Sequence, residues 1–226
     1  MPRCLLGFGD SWADGAGLNF TNKEQPYIKL VAAHFGIDVY NCAQSSTGIP
    51  HLILQLKKFI TSSCYNKNTR YHAVFFLSAI ERDLCFNDVG DPREMSPNHF
   101  EFADYSAKYY TDHLAVFKLN THLLALQQFC NHYNIDDHYI FGWQIPELWS
   151  EIDRTQFWKQ GQQSILDLFL QDYPDAPKNI IHLKENMNHP WIIPSQFSGD
   201  SSGGHPNQLG HEKIAQALVD WLAPCM

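Results

Sequence analysis

Residues 3–11 read RCLLGFGDS: an apolar run, then two glycines that flank a phenylalanine, then an aspartate and a serine. A continuous apolar run this short is typical of a strand that is buried on both faces of a parallel sheet. Glycine tolerates the backbone conformations that a sharp turn requires. The stretch therefore predicts a buried first strand, over residues 3–7, that feeds a turn and presents Ser11 at the edge of a sheet.

The position of Ser11 allows two interpretations. A serine that follows a strand on a glycine-flanked turn is exposed at the sheet edge, where a nucleophile can reach its substrate. Serine is also among the preferred residues at helix N-caps. The Gly9-Asp10-Ser11 stretch taken alone does not separate the catalytic role from the capping role.

The rest of the chain repeats the order of strand, loop and helix. Further strands are predicted at residues 39–40, 73–77, 139–142 and 179–183, and helices at 25–35, 49–60, 103–133, 157–173 and 209–222. Strands that alternate with helices are typical of a parallel sheet covered on both faces. We therefore expect an α/β fold, a three-layer α/β/α sandwich with a mostly parallel five-stranded sheet, in one domain that spans residues 1–226. The segment 84–100, which contains aspartate, glycine and proline, is predicted to be a loop or lid.

Composition and charge restrict the partners of the protein. The formal net charge of −8 and the pI near 5.8 argue against nucleic acid and against an anionic membrane surface, since both attract positive charge. No apolar stretch is long enough for a membrane span or for the core of a signal peptide. The six cysteines lack a Cys-x-x-Cys pair and the spacing of a zinc site, so we expect reduced thiols in a cytoplasmic protein.

Four side chains of types that can bind metal ions lie close together in sequence: His132, Asp136, Asp137 and His138. They fall between a predicted helix and a predicted strand, where polar turns are expected, so we predict no metal site there. For the whole chain we expect neither a metal nor a nucleotide cofactor.

A histidine at the far end of the chain is a candidate base for Ser11. His205 precedes the last predicted helix and is restrained by the proline that follows it. A serine hydroxyl is almost wholly protonated near neutral pH and needs a base to become a nucleophile. Ligands of parallel sheets bind beyond the carboxyl ends of the strands, so we expect the reactive atoms of Ser11 and His205 to come within hydrogen-bonding distance. Alternatively, His205 is an ordinary surface histidine, one of twelve in the chain.

Several short blocks, in order along the chain, carry a family resemblance. They are Gly9-Asp10-Ser11 near the start, Asn41-Cys42-Ala43 after the second predicted strand, and His205-Pro206-Asn207 with Gly210-His211 before the last helix. Together they resemble the SGNH (GDSL-type) hydrolase family over nearly the whole chain, from about residue 5 to residue 222.

The resemblance implies a two-step acyl transfer on a carboxylic ester. Ser11 would attack the ester carbonyl while His205 takes its proton and later protonates the leaving alcohol. An acid close by in sequence would orient His205. The oxyanion would be held by the backbone N–H of Ser11, a backbone N–H of the second block and an asparagine side chain of a third block.

The orienting acid departs from the family pattern. The family places it three residues before the histidine, where this chain has Ser202, whereas Asp200 stands five residues before. A wider loop through Gly203 and Gly204 would still let Asp200 reach the imidazole, so Asp200 is the predicted acid. Otherwise a backbone carbonyl orients His205 and the site works as a dyad.

The two blocks that should supply oxyanion donors depart from the pattern as well. The third block should carry an asparagine after the third strand, and here residues 78–83 read SAIERD. Arg82 is a candidate replacement, because a guanidinium makes charge-assisted hydrogen bonds, and Ser78 is another. Pairing of Arg82 with a neighbouring acid fits the sequence equally well. In the second block, Ser46 stands at the family's glycine position and Gly48 lies two residues later, and the backbone N–H of either is a candidate donor.

The function predicted from these residues is that of a serine hydrolase for small-molecule esters. It is an esterase or an O-deacetylase, and its candidate substrates are an O-acetylated sugar, a short acyl ester and a lipid-like thioester. A rival from another class is a catalytically weakened relative that binds a carbohydrate or a partner protein in the same cleft. The altered third block favours this rival, and the presence of Ser11 and His205 opposes it. A third interpretation is an acyltransferase, in which an alcohol other than water resolves the acyl-enzyme.

Overall fold

The computed structural model of the protein describes residues 1–78, 80, 83–86, 92–95, 111–143, 145–171 and 204–226. Its strands are β1 (Arg3–Phe8), β2 (Asp38–Asn41), β3 (Arg70–Leu77), β4 (Asp83–Phe86), β5 (Pro92–Met95) and β6 (Ile135–Phe141). Four of them form a parallel sheet in the order β2-β1-β3-β6. Leu5 of β1 pairs with Val39 on one side and with His72 on the other. Because the strands are parallel, their carboxyl ends meet at one edge of the sheet.

Helices cover both faces of this sheet. They are α1 (Ser11–Asp14), α2 (Tyr27–Phe35), α3 (Ile49–Ile60), α4 (Asp112–His132), α5 (Ile165–Leu170) and α6 (Gln208–Leu222). Side chains alternate along β3, so Val74 packs in one core with residues of α2, α5 and α6, and Phe75 packs in the other with residues of α3 and α4. The predicted α/β class, a parallel sheet between two helical layers, is confirmed.

The described part of the sheet has four strands rather than the predicted five. The fifth predicted strand, residues 179–183, lies outside the described residues. The prediction of a polar turn before residue 139 is wrong, because β6 already begins at Ile135. Two of its polar residues have partners in the fold: Asp136 pairs with Arg70 across a 2.7 Å contact, and His138 packs against Trp221.

The predicted helix over residues 157–173 is largely wrong. The structure has a 3-10 turn at Trp158–Gly161 and then the short helix α5. Lys159 and Gln160 have φ values of +50° and +55°, which no right-handed helix contains. Phe157 and Ser164 instead form isolated parallel bridges with β6, so this segment follows the edge of the sheet.

The predicted loop or lid over residues 84–100 contains regular structure. Strands β4 and β5 pair in antiparallel register, with Asp83 opposite Met95 and Phe86 opposite Pro92. Part of the segment therefore lies in a two-stranded antiparallel sheet, and the prediction of a loop is wrong there, whereas the role of a lid stays a prediction. Its remaining residues, 87–91 and 96–100, lie outside the described residues.

Three further features of the described residues concern membrane spans, metal ions and cysteines. Among the helices of the described residues, none is long and apolar enough to cross a bilayer. The same part of the chain contains no group of three or more His, Cys, Asp and Glu side chains that could hold a metal ion. Each of the five cysteines whose side chains are described is a free thiol. The single domain and the cytoplasmic location stay predictions.

Two buried histidines face each other on β3 and β6. His72 is fully buried and His138 is 4% exposed, and their rings stack with centroids 5.9 Å apart. His72 Nδ1 lies 3.5 Å from Asp136 Oδ2. Burial lowers the pKa of His138 to about 4 and also lowers the pKa of His72. Both rings are therefore neutral near pH 7.

We expect the free energy of unfolding to fall as the pH drops from about 6.5 to about 4. An unfolded histidine titrates near pH 6.5, so between these values unfolding takes up a proton at His138 and becomes more favourable at lower pH. The gap between the two pKa values corresponds to about 3 kcal/mol. Urea unfolding across this pH range should show the slope in the wild type and a smaller one in His138→Leu. His113→Leu, which replaces an exposed histidine, should keep the wild-type slope, and a flat wild-type profile would contradict the prediction.

Candidate active site

Ser11 is the first residue of α1, the short helix that follows β1. The N-cap of this helix is Asp10, which is 1% exposed and whose Oδ1 accepts a hydrogen bond of 3.0 Å from the backbone N–H of Trp12. The capping role that the sequence left open for Ser11 thus belongs to Asp10. Ser11 is half-buried at the carboxyl edge of the sheet.

The turn before Ser11 requires a glycine. Gly9 has a φ of +152°, which side chains rarely adopt. A Cβ at this position would lie 2.7 Å from the Cβ of Ala13 and 2.8 Å from the Cβ of Phe76 on β3. The absence of a side chain therefore lets the chain turn directly against the neighbouring strand, and this places Ser11 next to the end of β3 as well as β1.

His205 reaches Ser11 from the other end of the chain. Its Nε2 lies 2.9 Å from Ser11 Oγ, although 194 residues separate the two. Gly204, with a φ of +81°, turns the chain before the histidine. After it, Asn207 caps α6 by accepting a hydrogen bond of 2.9 Å from the backbone N–H of Gly210. The expected approach of the two reactive atoms is therefore observed.

The contact with Ser11 has a consequence for the other ring nitrogen of His205. A neutral imidazole accepts at one nitrogen and donates at the other. If Nε2 accepts the serine proton, Nδ1 carries the ring proton and donates it to an orienting group. Asp200, the predicted orienting acid, lies outside the described residues, as does Ser202.

The loop between β2 and α3 is anchored to the turn that carries Ser11. Asn41 Nδ2 donates a hydrogen bond of 3.0 Å to the carbonyl of Ala13, and Ser45 Oγ donates one of 2.9 Å to Asp14 Oδ2. The next residue, Ser46, is exposed and has a φ of +60°. This is the left-handed conformation that glycine adopts most readily, and Ser46 occupies it within a loop that is tied down on its N-terminal side.

Solved structures of esterases are similar to this chain. One is a carbohydrate esterase whose active site displays divergent catalytic and non-catalytic binding functions, with a TM-score of 0.51 and 16% identity. Another is an acetyl xylan esterase from the rumen bacterium Butyrivibrio proteoclasticus, with a TM-score of 0.51 and 12% identity. Each alignment covers 98% of this chain, which spans 68% and 64% of the two esterases. No family model and no curated protein matches the sequence. The chain shares the α/β fold of these two esterases.

The two candidate oxyanion donors of the second block have different environments. The backbone N–H of Gly48 donates a hydrogen bond of 3.2 Å to His51 Nδ1 inside the protein, at the start of α3. This hydrogen bond removes Gly48 from the candidate oxyanion donors. Ser46 is the second-block candidate that remains, since it stands at the family's glycine position and has a glycine-like conformation.

The third block, residues 78–83, is described only in part. Ser78 follows β3 directly and is 4% exposed, so it lies at the carboxyl edge of the sheet, as Ser11 does. Arg82 lies outside the described residues. The roles suggested by the sequence for these two residues stay predictions.

A second histidine of the last block joins α6 to α2. His211 is fully buried, and its Nδ1 accepts a hydrogen bond of 3.2 Å from the backbone N–H of Tyr27. The two rings stack with centroids 5.9 Å apart. Burial lowers the pKa of His211 to about 3, and the charge of His205 adds to the effect. His211 therefore stays neutral near pH 7 while it holds in place the helix that follows His205.

Trp12 fixes α1 to the end of β6. It is 2% exposed and packs edge-to-face against Trp143, with ring centroids 4.5 Å apart. Trp143 follows β6 and is half-buried, so it stands at the same sheet edge as Ser11. Aromatic pairs of this geometry stabilise a structure by about 1 kcal/mol beyond the area that they bury.

Sequence reasoning did not identify Gln55 as a residue that contacts the turn before Ser11. Gln55 lies on α3 and is 7% exposed, and its amide hydrogen bonds to Gly9. The available signal was a glutamine within the apolar stripe of a predicted helix, next to Leu52 and Leu56. A polar side chain in such a stripe is buried only at a cost unless it finds partners.

Proposed function

We propose that the protein is a serine esterase that forms an acyl-enzyme on Ser11. The observation that carries this proposal is the 2.9 Å approach of His205 Nε2 to Ser11 Oγ. A hydroxyl and an imidazole from opposite ends of the chain meet beyond the carboxyl ends of the strands, where α/β proteins bind their ligands. A base within hydrogen-bonding distance is what a serine nucleophile requires. The esterase fold of the two similar structures supports the same reaction class.

In the proposed reaction, Nε2 of His205 accepts the Ser11 proton as Oγ attacks the carbonyl carbon of the ester. The tetrahedral intermediate collapses when the imidazolium protonates the leaving alcohol. Water then attacks the acyl-enzyme by the same route, which releases the carboxylic acid and restores Ser11. Asp200 is the proposed acid that orients Nδ1 of His205, with a backbone carbonyl as the alternative.

The proposed oxyanion donors are the backbone N–H groups of Ser11 and Ser46. Ser11 opens α1, and the first N–H groups of a helix have no partner within it. Ser46 keeps its left-handed conformation in a loop that is anchored to the nucleophile turn. Donors of this kind typically contribute about 3 kcal/mol each to the transition state. Arg82 and Ser78 are the candidates for a third donor.

The proposed substrate is a small-molecule ester such as an O-acetylated carbohydrate. The two similar structures are named as a carbohydrate esterase and an acetyl xylan esterase. We extend this class of substrate to the present protein. An acetyl ester on a sugar would present its carbonyl to Ser11 and a sugar hydroxyl as the leaving group. Turnover of acetylated xylan relative to p-nitrophenyl acetate measures the contribution of the sugar half.

A fluorophosphonate probe tests the proposed nucleophile. We expect the probe to label the wild type at Ser11, as located by peptide mass spectrometry, because the reagent reacts with activated serines and not with ordinary ones. Ser11→Ala should not be labelled, whereas Ser150→Ala, which removes an exposed serine, should be labelled as fast as the wild type. The wild type should also release p-nitrophenol from p-nitrophenyl acetate. A folded wild type that neither reacts with the probe nor turns over the ester would support the rival function of a binding protein.

A further inference from the structure

Gln55 is a buried glutamine on the core-facing side of α3. Its neighbours Leu52, Leu56 and Phe59 all belong to the hydrophobic core, and Gln55 itself is 7% exposed. A buried amide is destabilising unless its polar atoms are hydrogen-bonded. The partners of this amide lie in the turn before Ser11 and in the loop that carries Ser46.

The Gln55 amide pairs with both backbone groups of Gly9. Its Oε1 accepts a hydrogen bond of 3.1 Å from the Gly9 N–H, and its Nε2 donates one of 2.9 Å to the Gly9 carbonyl. Two contacts from one planar amide restrict the rotation of the Gly9 backbone as well as its position. Gly9 stands two residues before Ser11, so Gln55 links α3 to the turn that carries the nucleophile.

The same amide reaches the loop that carries Ser46. Nε2 of Gln55 also donates a hydrogen bond of 3.3 Å to Thr47 Oγ1. The Thr47 hydroxyl in turn lies 2.7 Å from the carbonyl of Gln44 and 3.1 Å from the carbonyl of Gly9. A hydroxyl has one proton, and the shorter contact assigns it to Gln44. The Gly9 carbonyl accepts a further hydrogen bond of 3.0 Å from the Gln44 N–H. On one side of Ser46, Gln44 is therefore bonded to Gly9 directly, and on the other side Thr47 is linked to Gly9 through the Gln55 amide.

We propose that Gln55 is a positioning residue that sets the backbone N–H groups of Ser11 and Ser46 relative to each other. This inference rests on the proposed function, in which these two groups bind the oxyanion. The two donors come from separate segments, and donors accelerate the reaction only when they are already in place before charge develops. A displacement of about 1 Å costs about 100-fold in rate. The loss falls on kcat rather than on KM, because the oxyanion exists only after attack.

The first test is Gln55→Met, which keeps the length of the side chain and removes its polar atoms. Asn120→Leu is the matched control, since Asn120 is also a buried helical amide. It accepts a hydrogen bond of 2.8 Å from the Trp149 N–H and donates one of 3.0 Å to the Glu147 carbonyl. We expect kcat for p-nitrophenyl acetate to fall about 30- to 100-fold in Gln55→Met, with KM within about threefold. Asn120→Leu should lower the melting temperature to a similar extent and keep kcat within about twofold of the wild type.

Amide hydrogen exchange gives a readout that does not depend on activity. Peptides that cover residues 6–14 and 42–48 should exchange about tenfold faster or more in Gln55→Met and at the wild-type rate in Asn120→Leu. Wild-type kcat together with wild-type exchange in Gln55→Met would overturn the inference. If the wild type turns over no ester, the proposed function fails, and unchanged exchange in Gln55→Met still decides against the link between the two segments.

A second variant, Gln55→Glu, supplies a pH profile and covers the case in which Gln55→Met does not fold. An ionised carboxylate still accepts from the Gly9 N–H but has no proton to donate to the Gly9 carbonyl, whereas the protonated acid has one. Burial next to a carbonyl raises the pKa of such a carboxyl. We therefore expect the ratio of variant to wild-type kcat to rise at least about fivefold as the pH falls from about 8 to about 5. A ratio that stays constant over this range would overturn the positioning role.

Discussion

Replacing His205 with alanine is expected to lower the turnover of p-nitrophenyl acetate by about 10⁴-fold or more. Without an imidazole at 2.9 Å, the Ser11 hydroxyl has no base to take its proton as it attacks. Ser11→Ala should cost about as much. The double variant Ser11→Ala/His205→Ala should be no slower than either single variant, because each residue acts only through the other. Steady-state kinetics of the three purified variants, with their melting temperatures, measures this.

A matched control for His205 is available on α2. His34 is an exposed histidine in the last turn of that helix, and His34→Ala should keep the wild-type kcat. A His205→Ala variant with a tenth or more of wild-type turnover would show that another group serves as the base. A double variant whose loss equals the product of the two single losses would show that Ser11 and His205 do not act as one unit.

The meeting of Ser11 and His205 could be predicted because it depends on topology. An apolar run such as residues 73–77 is recognisable as a strand, since the side chains on both faces of a central parallel strand are buried and therefore apolar. Once the strands are taken as parallel, the residue after β1 and the residue before the last helix fall at the same edge of the sheet. The pattern of apolar residues predicts this shared edge, and the short sequence blocks at the two ends of the chain single out His205 among its twelve histidines.

The errors in secondary structure arose where distant partners decide the conformation. Asp136 looks like a turn residue in the sequence, yet it lies within β6 and pairs with Arg70, which is 66 positions away. Apolar residues after Phe157 have the spacing of a helix, but the backbone there bridges to β6 at Tyr139 and turns through Lys159 in a left-handed conformation. A periodicity count registers neither the ion pair nor the bridge.

The candidate site shows the same limit on a smaller scale. Glycine is the usual marker of a left-handed backbone, so the sequence could not choose between Ser46 and Gly48. The choice depends on hydrogen bonds that the sequence does not reveal. Ser45 donates one to Asp14, which anchors the loop next to Ser46, and the Gly48 N–H donates one to His51. The hydrogen bonds of the Gln55 amide to Gly9 are likewise invisible in the sequence, since they join residues 46 positions apart.

Gly9→Ala is expected to reduce both stability and activity strongly. The added Cβ would lie 2.7 Å from Ala13 Cβ and 2.8 Å from Phe76 Cβ, on a backbone with a φ of +152°. Overpacking and an unfavourable backbone conformation together cost about 3 kcal/mol or more in the free energy of unfolding. Relief of the clash must move the turn, and a shift of Ser11 by about 1 Å lowers kcat by about 100-fold. Urea unfolding and steady-state kinetics of the purified variant measure both effects.

Gly36→Ala separates the steric cost from the conformational one. Gly36 ends α2 with a φ of +64°, and a Cβ there meets nothing within 4 Å. This variant should therefore lose only about 1–2 kcal/mol, the cost of an alanine in a left-handed conformation, and should keep the wild-type kcat. If Gly9→Ala lost no more stability than Gly36→Ala and kept its turnover, the close approach of the turn to β3 would not be what positions Ser11. A larger loss in both quantities at Gly9 alone ties the position of the nucleophile to the contact between this turn and Phe76.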